Sequence, residues 1–319
     1  MRIQDIPMRR KLVGSFLLVG CVPAVLLTVV TLVVAMNSLM TQTYEQLSGL
    51  RENKQQQLET CFTQQQSDLD VLGKTVESFQ KAAEVKLAAI RDAKAVTLMD
   101  YLSFSRAQLL DFAKKPQLID AMANLPVYLR NYRYDREVSV DQIELIRKEL
   151  RLCWEEDFGQ RYQEITGEND LDIEEKFSLL SEWSIVIQQA YISSNSNSLG
   201  SKIELLKPKS ELLFAPPYDL MHEDLHPMIR NFAEEFGYQD VYLVDSESGD
   251  VAYSMMKRID FGTSLIDGPF AESHLGELFS LANTAVTPGE FFIADFEPYE
   301  PSFEKPTAFM ATPIFEENR

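Results

Sequence analysis

Residues 12–36 read LVGSFLLVGCVPAVLLTVVTLVVAM and contain no charged side chain. At a rise of 1.5 Å per residue, a helix of this length is about 37 Å long. The hydrocarbon core of a bilayer is about 30 Å thick, so such a helix crosses it with some tilt. The stretch therefore predicts one transmembrane helix near the start of the chain.

The charges on either side of this span predict its orientation. Arg2, Arg9, Arg10 and Lys11 precede the span, and the first basic residue after it is Arg51. Basic residues favour the cytoplasmic side of a membrane. We therefore expect residues 1–11 in the cytoplasm of a bacterial cell, a single pass through the inner membrane, and the bulk of the chain in the periplasm or outside the cell.

A cleaved signal peptide is the competing interpretation of the same stretch. The sequence Val33-Val34-Ala35 resembles a cleavage site. The apolar core of a signal peptide, however, spans only about 7–15 residues. The length of this stretch favours an uncleaved anchor.

Residues 37–125 have the composition of a helical stalk, rich in Gln, Leu, Ala and Glu and almost free of glycine. The stalk contains a repeat with an offset of 40 residues, because LRENK at 50–54 returns as IRDAK at 90–94. Both copies carry apolar residues at helical spacing, which need a partner. Either one copy folds back on the other near Gly73, or two chains pair as a homodimer.

Residues 126–217 are predicted to form a helical module. Ser139 and Gln142 have the spacing of a capping box and open a helix that continues to Ile165 and stops at Gly167. A second helix is predicted over residues 172–191, followed by a polar loop over residues 193–201.

The periodicity changes in residues 218–319. A helix over residues 227–236 stops at Gly237. Residues 241–244 and 251–255 then flank a turn in which Gly249 supplies the positive φ, the pattern of a β-hairpin. A helix over residues 270–285 and strands over 290–296 and 307–315 complete an α+β fold.

These residues carry a resemblance to a known family. The strings YQDVYLVD (238–245), GDVAYS (249–254), DFGTSL (260–265) and ADF (294–296) resemble the PAS-like half of Cache sensor domains. The helix with IRDAK (90–94) is similar to the stalk that precedes such domains in methyl-accepting chemotaxis proteins and membrane-bound cyclases. The resemblance covers nearly all residues from Leu47 onward.

The resemblance implies a periplasmic sensor of small molecules that acts as a dimer and signals by moving its membrane helices. The family's sheet has five antiparallel strands, the last of which lies between the first and the fourth. Only four strands are found here, so the resemblance implies a PAS-like sheet that lacks its last, central strand, in a truncated receptor. Two alternatives remain open. One is the sensor region of an adenylate, guanylate or diguanylate cyclase or a histidine kinase, and the other is an envelope structural or interaction protein.

Charge and cysteine content exclude several function classes. The net charge of the chain is -19, and residues 211–319 contain 21 Asp or Glu against 5 Lys or Arg. This acidity disfavours a nucleic-acid partner. Cys21, Cys61 and Cys153 form no metal-binding spacing, so neither a metal nor a cofactor is expected, although Cys61 and Cys153 remain free to pair.

Two short motifs match enzyme signatures, but the further sequence features that these enzymes require do not accompany them. HEDLH at 222–226 fits the zinc-protease pattern HExxH, with Asp245 or Glu247 as the third ligand. Pro227 argues against a zinc site, because the residue before a proline disfavours helical geometry. DFG at 260–262 matches a kinase motif, but the sequence has no glycine-rich phosphate loop. We therefore predict that the chain is not an enzyme.

The resemblance implies a ligand pocket between the sheet and the elements that cover it. Strand alternation places Tyr242 and Val244 on one face of the hairpin, and Val241 and Leu243 on the other. The candidate ligand-binding residues are Tyr242, Tyr253, Asp295 and Tyr299, with the Asp295 carboxylate as an acceptor for an amine.

Overall fold

The computed structural model describes residues 7–167, 171–198, 200–210 and 212–315. These residues divide into two compact units, Met1–Val96 and Thr97–Arg319. The helices are α1 (Met8–Ala113), α2 (Pro116–Asp135), α3 (Val140–Leu152), α4 (Gln160–Thr166), α5 (Ile173–Ser178), α6 (Glu182–Gln188), α7 (Pro217–Phe236) and α8 (His274–Ala282). The strands are β1 (Tyr242–Val244), β2 (Val251–Ser254), β3 (Phe292–Tyr299) and β4 (Lys305–Ala311).

The first unit consists of the α1 residues up to Val96. Within the described part of the chain, α1 is the one helix long and apolar enough to cross a membrane. Its most apolar window has a mean hydropathy of 2.7, and none of that window is buried. The structure thus has a helix of the predicted length and apolarity over residues 12–36. The helix continues without interruption through Gly73, so the stalk does not fold back there.

A row of apolar side chains follows the stalk with the seven-residue spacing of a coiled coil. Leu69, Val76 and Ile90 occupy one position of this repeat, and Leu72 and Phe79 occupy the other main position. Leu69 and Phe79 are 67% and 71% exposed. Gln65 and Lys86 interrupt the row, as polar residues do in coiled coils of fixed register. The 40-residue repeat does not share this spacing, because 40 is not a multiple of seven and only Ile90, not Leu50, lies in the row.

The second unit begins within α1 and contains every other element, so the helical module and the C-terminal residues share their cores. The predicted capping box is confirmed: the backbone N–H of Gln142 donates to Ser139 Oγ, and the Gln142 side chain accepts from the Ser139 backbone N–H. The helix it opens continues through a π-helical segment, Cys153–Gly159, into α4. It ends at Gly167, where φ is +75°.

The prediction of one helix over residues 172–191 is wrong. The chain forms α5 and α6, with a break after α5 where Ser181 caps α6 by accepting the backbone N–H of Ser184. A π-helical segment, Gln189–Ser193, extends α6. The sequence has the apolar residues of a continuous helix. Ser181, however, can accept a backbone N–H of the first helical turn through its side chain, which favours a new helix start at this point. The loop predicted at 193–201 is irregular in its described residues after Ser193.

The expectation about Pro227 is also wrong. Helix α7 begins at Pro217, ten residues before the predicted start, and continues through Pro227 to Phe236. His222 and His226 are therefore on one helix, and both are fully buried rather than exposed at a helix entry. The end of the helix is as predicted, because Gly237 adopts φ of +75°.

The four strands form two separate antiparallel pairs, β1–β2 and β3–β4. The hairpin prediction is confirmed, with Gly249 at φ of +72° and Leu243 opposite Tyr253. The second strand pair is also confirmed, although β3 extends to Tyr299 and β4 ends at Ala311. Helix α8 occupies only the middle of the predicted 270–285 region, because Ser273 caps its start. The fold is therefore α+β, with two small sheets.

The β1–β2 hairpin lies between two hydrophobic cores. Val241 and Leu243 pack into one core with α2, α6 and α7. Tyr242 and Val244 pack into the other with α3, α5, α8 and the β3–β4 pair. The alternation predicted for this strand is confirmed, and it places apolar side chains on both faces.

Candidate functional site

A cleft with a volume of about 740 Å³ separates β1 from β4. Small-molecule sites in proteins have volumes of about 300–1,000 Å³, so the cleft is of ligand size. Helices α2 and α8 form further walls, and the chain from Phe309 to Phe315 lines one side. At the base, the rings of Tyr242 and Phe309 meet edge to face with their centroids 6.2 Å apart.

Each of the two strands at the cleft has one edge that pairs with no strand among the described residues. Strand β1 pairs only with β2, and β4 only with β3. The other edge of β2 is covered, because Val251 N–H donates to Thr263 O and Gly262 N–H donates to Val251 O. An unpaired strand edge offers backbone N–H and C=O groups to an occupant. The cleft therefore combines apolar walls with backbone donors and acceptors.

The end of α1 is part of the cleft wall. Leu109, Phe112 and Ala113 line it from this helix. Phe112 is 3% exposed, and its ring stacks on Phe232 of α7 with a centroid distance of 3.8 Å. An occupant of the cleft would thus contact the last turn of α1 and a ring that packs on α7.

The charged groups of the cleft flank β1. Asp240 is the most heavily hydrogen-bonded of them, since its Oδ1 accepts the backbone N–H groups of Val241, Met255 and Met256 at 2.7–3.1 Å. Burial nevertheless raises the pKa of Asp240 to about 6. At the other end, Arg130 of α2 donates to Asp245 Oδ2 at 3.1 Å. Side-chain charge is thus confined to the two ends of β1.

A second buried carboxylate lies directly behind the cleft floor. Asp260 is fully buried, and its Oδ2 accepts the hydroxyl groups of Tyr242 at 2.9 Å and Tyr299 at 2.7 Å. Its Oδ1 has no hydrogen-bond partner among the described residues. Burial raises the pKa of Asp260, while the two tyrosine hydrogen bonds and Arg258 lower it. Asp260 therefore joins β1 to β3 through one oxygen atom.

The four candidate residues do not form one site. Tyr242 and Tyr299 meet at Asp260, and only Tyr242 lines the cleft. Tyr253 is fully buried in the other core, where its hydroxyl contacts His226 Nδ1 at 2.6 Å. Asp295 is exposed on β3, and its carboxylate accepts the backbone N–H of Phe296. As ligand contacts, the four residues remain predictions.

Three of the four ring nitrogens of the HExxH motif are hydrogen-bonded within the protein, and His222 Nε2 has no partner among the described residues. His222 Nδ1 donates to Leu206 O, and His226 Nε2 donates to Ile203 O, both at 2.6 Å. Asp245, a proposed third ligand, binds Arg130 instead. No group of three His, Cys, Asp or Glu side chains suited to a metal occurs in the described ranges. The three cysteines are free thiols, and burial raises the pKa of Cys153 to about 12.

The sequence predicted neither the cleft between the two strand pairs nor the hydrogen-bonding roles of Asp240 and Asp260. Asp240 was part of a family-like string, Asp260 was also part of the DFG match, and a single sequence does not show that the two sheets stay apart. A signal for Asp260 did exist, because an acidic residue directly between Ile259 and Phe261 suggests a buried carboxylate with partners.

Comparisons with models of known protein families, with curated proteins and with solved structures gave no match for this chain.

We expect Tyr242→Phe and Tyr299→Phe each to destabilise the domain by about 1–3 kcal/mol, because each removes a donor to a buried carboxylate. The double variant should deviate from the sum of the two by at least about 0.5 kcal/mol, because both hydroxyls share Asp260 Oδ2. Urea unfolding of the full chain in detergent, followed by the fluorescence of Trp154 and Trp183, measures these free energies.

Tyr134→Phe is the matched control for this cycle. Tyr134 is 69% exposed on α2, so the loss of its hydroxyl should change the free energy of unfolding by less than about 0.5 kcal/mol. Additive effects of Tyr242→Phe and Tyr299→Phe would contradict the shared-oxygen geometry.

Proposed function

We propose that the chain is the sensory input region of a transmembrane receptor, of the chemotaxis-receptor type, and that it performs no chemistry itself. The observation that carries the proposal is the cleft wall formed by Leu109, Phe112 and Ala113. These residues end the same helix that begins with the apolar span. A ligand in the cleft therefore touches the element that also carries the membrane segment.

Signalling then requires only a difference in ligand affinity between two positions of the end of α1. A ligand that binds one arrangement more tightly shifts the population toward it. Small helix displacements, of about 1–2 Å, are a common form of such transitions. The cleft supports this mechanism because its walls come from separate elements, α1, α2, β1, α8 and β4.

For the finer fold, we propose that β1–β2 and β3–β4 are two parts of one PAS-like sheet without its middle strand. The support is that the unpaired edges of β1 and β4 lie at the same cleft. Under this proposal, the cleft is the gap in the sheet, and whatever fills it changes how α2 and α8 pack.

The proposed location is the inner membrane, with the second unit outside the cytoplasm. The support is the apolar part of α1, together with Arg9, Arg10 and Lys11 before it and the absence of basic residues from there to Arg51.

The proposed partner of the stalk is a second copy of the chain. In two membrane-anchored copies, both stalk helices leave the same face of the membrane. The two helices therefore run parallel, and the same residue of each copy lies opposite its counterpart. The exposed seam of Leu69, Leu72, Val76 and Phe79 has the spacing for such a pair.

One observation favours the alternative of a structural or interaction protein. Tyr242, Tyr253 and Tyr299 bond to side chains of their own chain, as in a domain without a ligand. The cleft is the reason to prefer a sensor. A receptor-type cyclase or kinase differs from a chemoreceptor only in its output part, so the same input proposal applies to it.

Ligand binding in the cleft should raise the thermal unfolding temperature of the full chain. At a ligand concentration of 100 times Kd, the stabilisation is about 2.7 kcal/mol. We expect at least one compound from panels of amino acids, organic acids and amines to produce such a shift. Ala123→Trp, which places an indole in the cleft, should abolish it.

Asn131→Trp is the control, because Asn131 is exposed on the same helix outside the cleft. It should leave the ligand response intact. If none of the compounds stabilises the native chain, or if Ala123→Trp responds like the native chain, the cleft is not a small-molecule sensor site.

The orientation can be tested with the chain's own thiols. In a variant with Cys21→Ser and Cys153→Ser, a membrane-impermeant maleimide should label the exposed Cys61 in intact spheroplasts. In a cysteine-free variant that carries Met8→Cys, labelling should require permeabilised cells, because Met8 precedes the span. The reverse pattern, or a mature chain that begins after Ala35, would exclude the proposed topology.

The stalk proposal predicts position-dependent cross-linking. In a cysteine-free background, Leu69→Cys should form a disulfide-linked dimer on oxidation, because paired seam positions bring Cα atoms within about 7 Å. Ser67→Cys, on the opposite side of the helix, should remain monomeric on a non-reducing gel. Equal cross-linking at both positions would mean that the seam is not the interface.

A further inference from the structure

Two stacked imidazoles join α7 to the segment 202–206. His222 and His226 lie one helical turn apart, and their ring centroids are 4.8 Å apart at an interplanar angle of 18°. Both residues are 0% exposed. Through the hydrogen bonds to Leu206 O and Ile203 O, the pair holds two carbonyl groups of this segment against α7.

These hydrogen bonds fix which nitrogen of each ring carries the proton when the imidazole is neutral. Because His226 donates through Nε2, its Nδ1 carries a lone pair and accepts the Tyr253 hydroxyl. Because His222 donates through Nδ1, its Nε2 carries a lone pair, and this atom has no hydrogen-bond partner within the described ranges. A second proton on His222 would therefore form a buried N–H without an acceptor. On His226 it would require the Tyr253 hydroxyl to turn from donor to acceptor.

The closest cation makes a second proton more costly. Lys257 is 1% exposed, its Nζ lies 5.9 Å from the centre of the Tyr253 ring, and it donates to Met255 O. Burial lowers the pKa of Lys257 to about 7, and the nearby Asp240 opposes this shift. Burial and then Lys257 lower the pKa of both histidines, to about 4 for His226.

The other charged groups around His222 and His226 do not offset the effect of burial and Lys257 on the histidine pKa values. Arg230 further lowers the pKa of His226, whereas Glu204 raises it, and these two side chains are hydrogen-bonded to each other at 2.7 Å. Asp219, one turn before His222 on α7, accepts the hydroxyls of Tyr132 and Tyr191 and lies 3.7 Å from Arg136. Its carboxylate is therefore engaged away from the imidazoles.

We propose that the His222–His226 pair is an acid-sensitive latch, in which proton uptake below about pH 6 releases the segment 202–206 from α7 and loosens α7 against the hairpin. The latch does not require a ligand, because neither histidine nor the segment 202–206 lines the cleft. It acts in the core that contains α2, α6 and α7, and leaves the core around β3–β4 in place.

The direction follows from linkage. The pKa of each histidine is lower in the closed latch than its usual value near 6.5, so the latch is stable above pH 6.5 and loses stability as the pH falls. For His226 alone, a pKa of about 4 in the closed state gives a rise in the opening constant of roughly 25-fold between pH 7.5 and pH 5.0. Asp240 has the opposite effect on stability as the pH falls, because its pKa is raised to about 6 and its proton uptake favours the folded state. The global free energy of unfolding therefore combines opposing effects, and local opening of the segment 202–206 is the informative measurement.

Hydrogen–deuterium exchange on the full chain in detergent, at pH 7.5 and pH 5.0, tests the latch. Native protein and variants are compared at the same pH, which cancels the intrinsic pH dependence of exchange. The native chain should show faster exchange at pH 5.0 in residues 202–206 and in α7, but not in β3 and β4. The double variant His222→Asn and His226→Gln should lack this acid response, because its side-chain amides can donate to the two carbonyls but do not titrate.

His274→Gln is the matched control. His274 is the third histidine, is 7% exposed, and bonds through Nε2 to Thr307 O in the other core. This variant should respond to acid like the native chain. An undiminished response in the double variant, or equal acid-induced exchange in β3 and β4, would overturn the proposal.

A second variant keeps the proposal testable if the double variant does not fold. Lys257→Met retains both histidines and removes the nearby cation, so their pKa values move back toward 6.5 and the acid response should shrink. An undiminished response in Lys257→Met would also overturn the proposal.

Discussion

The second unit depends on covering both faces of the β1–β2 hairpin. A two-stranded hairpin is at best marginally stable in water, and this one carries apolar side chains on both faces. Val241 and Leu243 need one set of helices, while Tyr242 and Val244 need another set together with β3–β4. Two cores therefore form around the four residues 241–244, and the helical module cannot be separated from the strands without exposing these side chains.

This arrangement buries polar groups on each side of the hairpin. On one side the buried group is a carboxylate, and on the other it is a pair of imidazoles. Behind β1, Asp260 accepts two tyrosine hydroxyls through one oxygen, and Arg258 offsets part of the cost of burial. On the opposite side, His222 and His226 are buried near Lys257, and burial and this cation lower the pKa of both imidazoles. The Asp260 carboxylate has donors for its charged form, whereas a protonated His222 would have a buried N–H without an acceptor among the described residues. Under the proposed latch, acid loosens the core around α7 and leaves the other core in place.

Local signals in the sequence predicted the elements well. The Ser139 capping box, Gly167, Gly237 and Gly249 each act within a few residues, and each is where the sequence predicts it. The predicted helix bounds were wrong where tertiary packing outweighed a local preference or where a local signal was overlooked. Pro227 is tolerated inside α7 because the helix is buried against the hairpin, while Ser181 breaks an apolar run that looked continuous. The cleft is not predictable from one sequence. It depends on the separation of the two strand pairs, and the hydrophobic pattern of each strand does not show how far one pair lies from the other. That the two strand pairs are parts of one incomplete PAS-like sheet remains a proposal.

The stack of Phe112 on Phe232 is the point at which the two proposals meet. The rings lie parallel at 3.8 Å, and the end of α1 cannot shift along α7 without sliding or breaking this contact. Packed aromatic contacts favour discrete arrangements over continuous deformation, so the stack suits a two-state element. Phe112 lines the cleft, and Phe232 is on the helix that the histidine latch holds in place. If a cleft ligand and a proton both bias the position of α7, each must change the affinity for the other by the same factor. A receptor built in this way would bind its ligand with an affinity that depends on pH, through the latch as well as through Asp240 in the cleft wall.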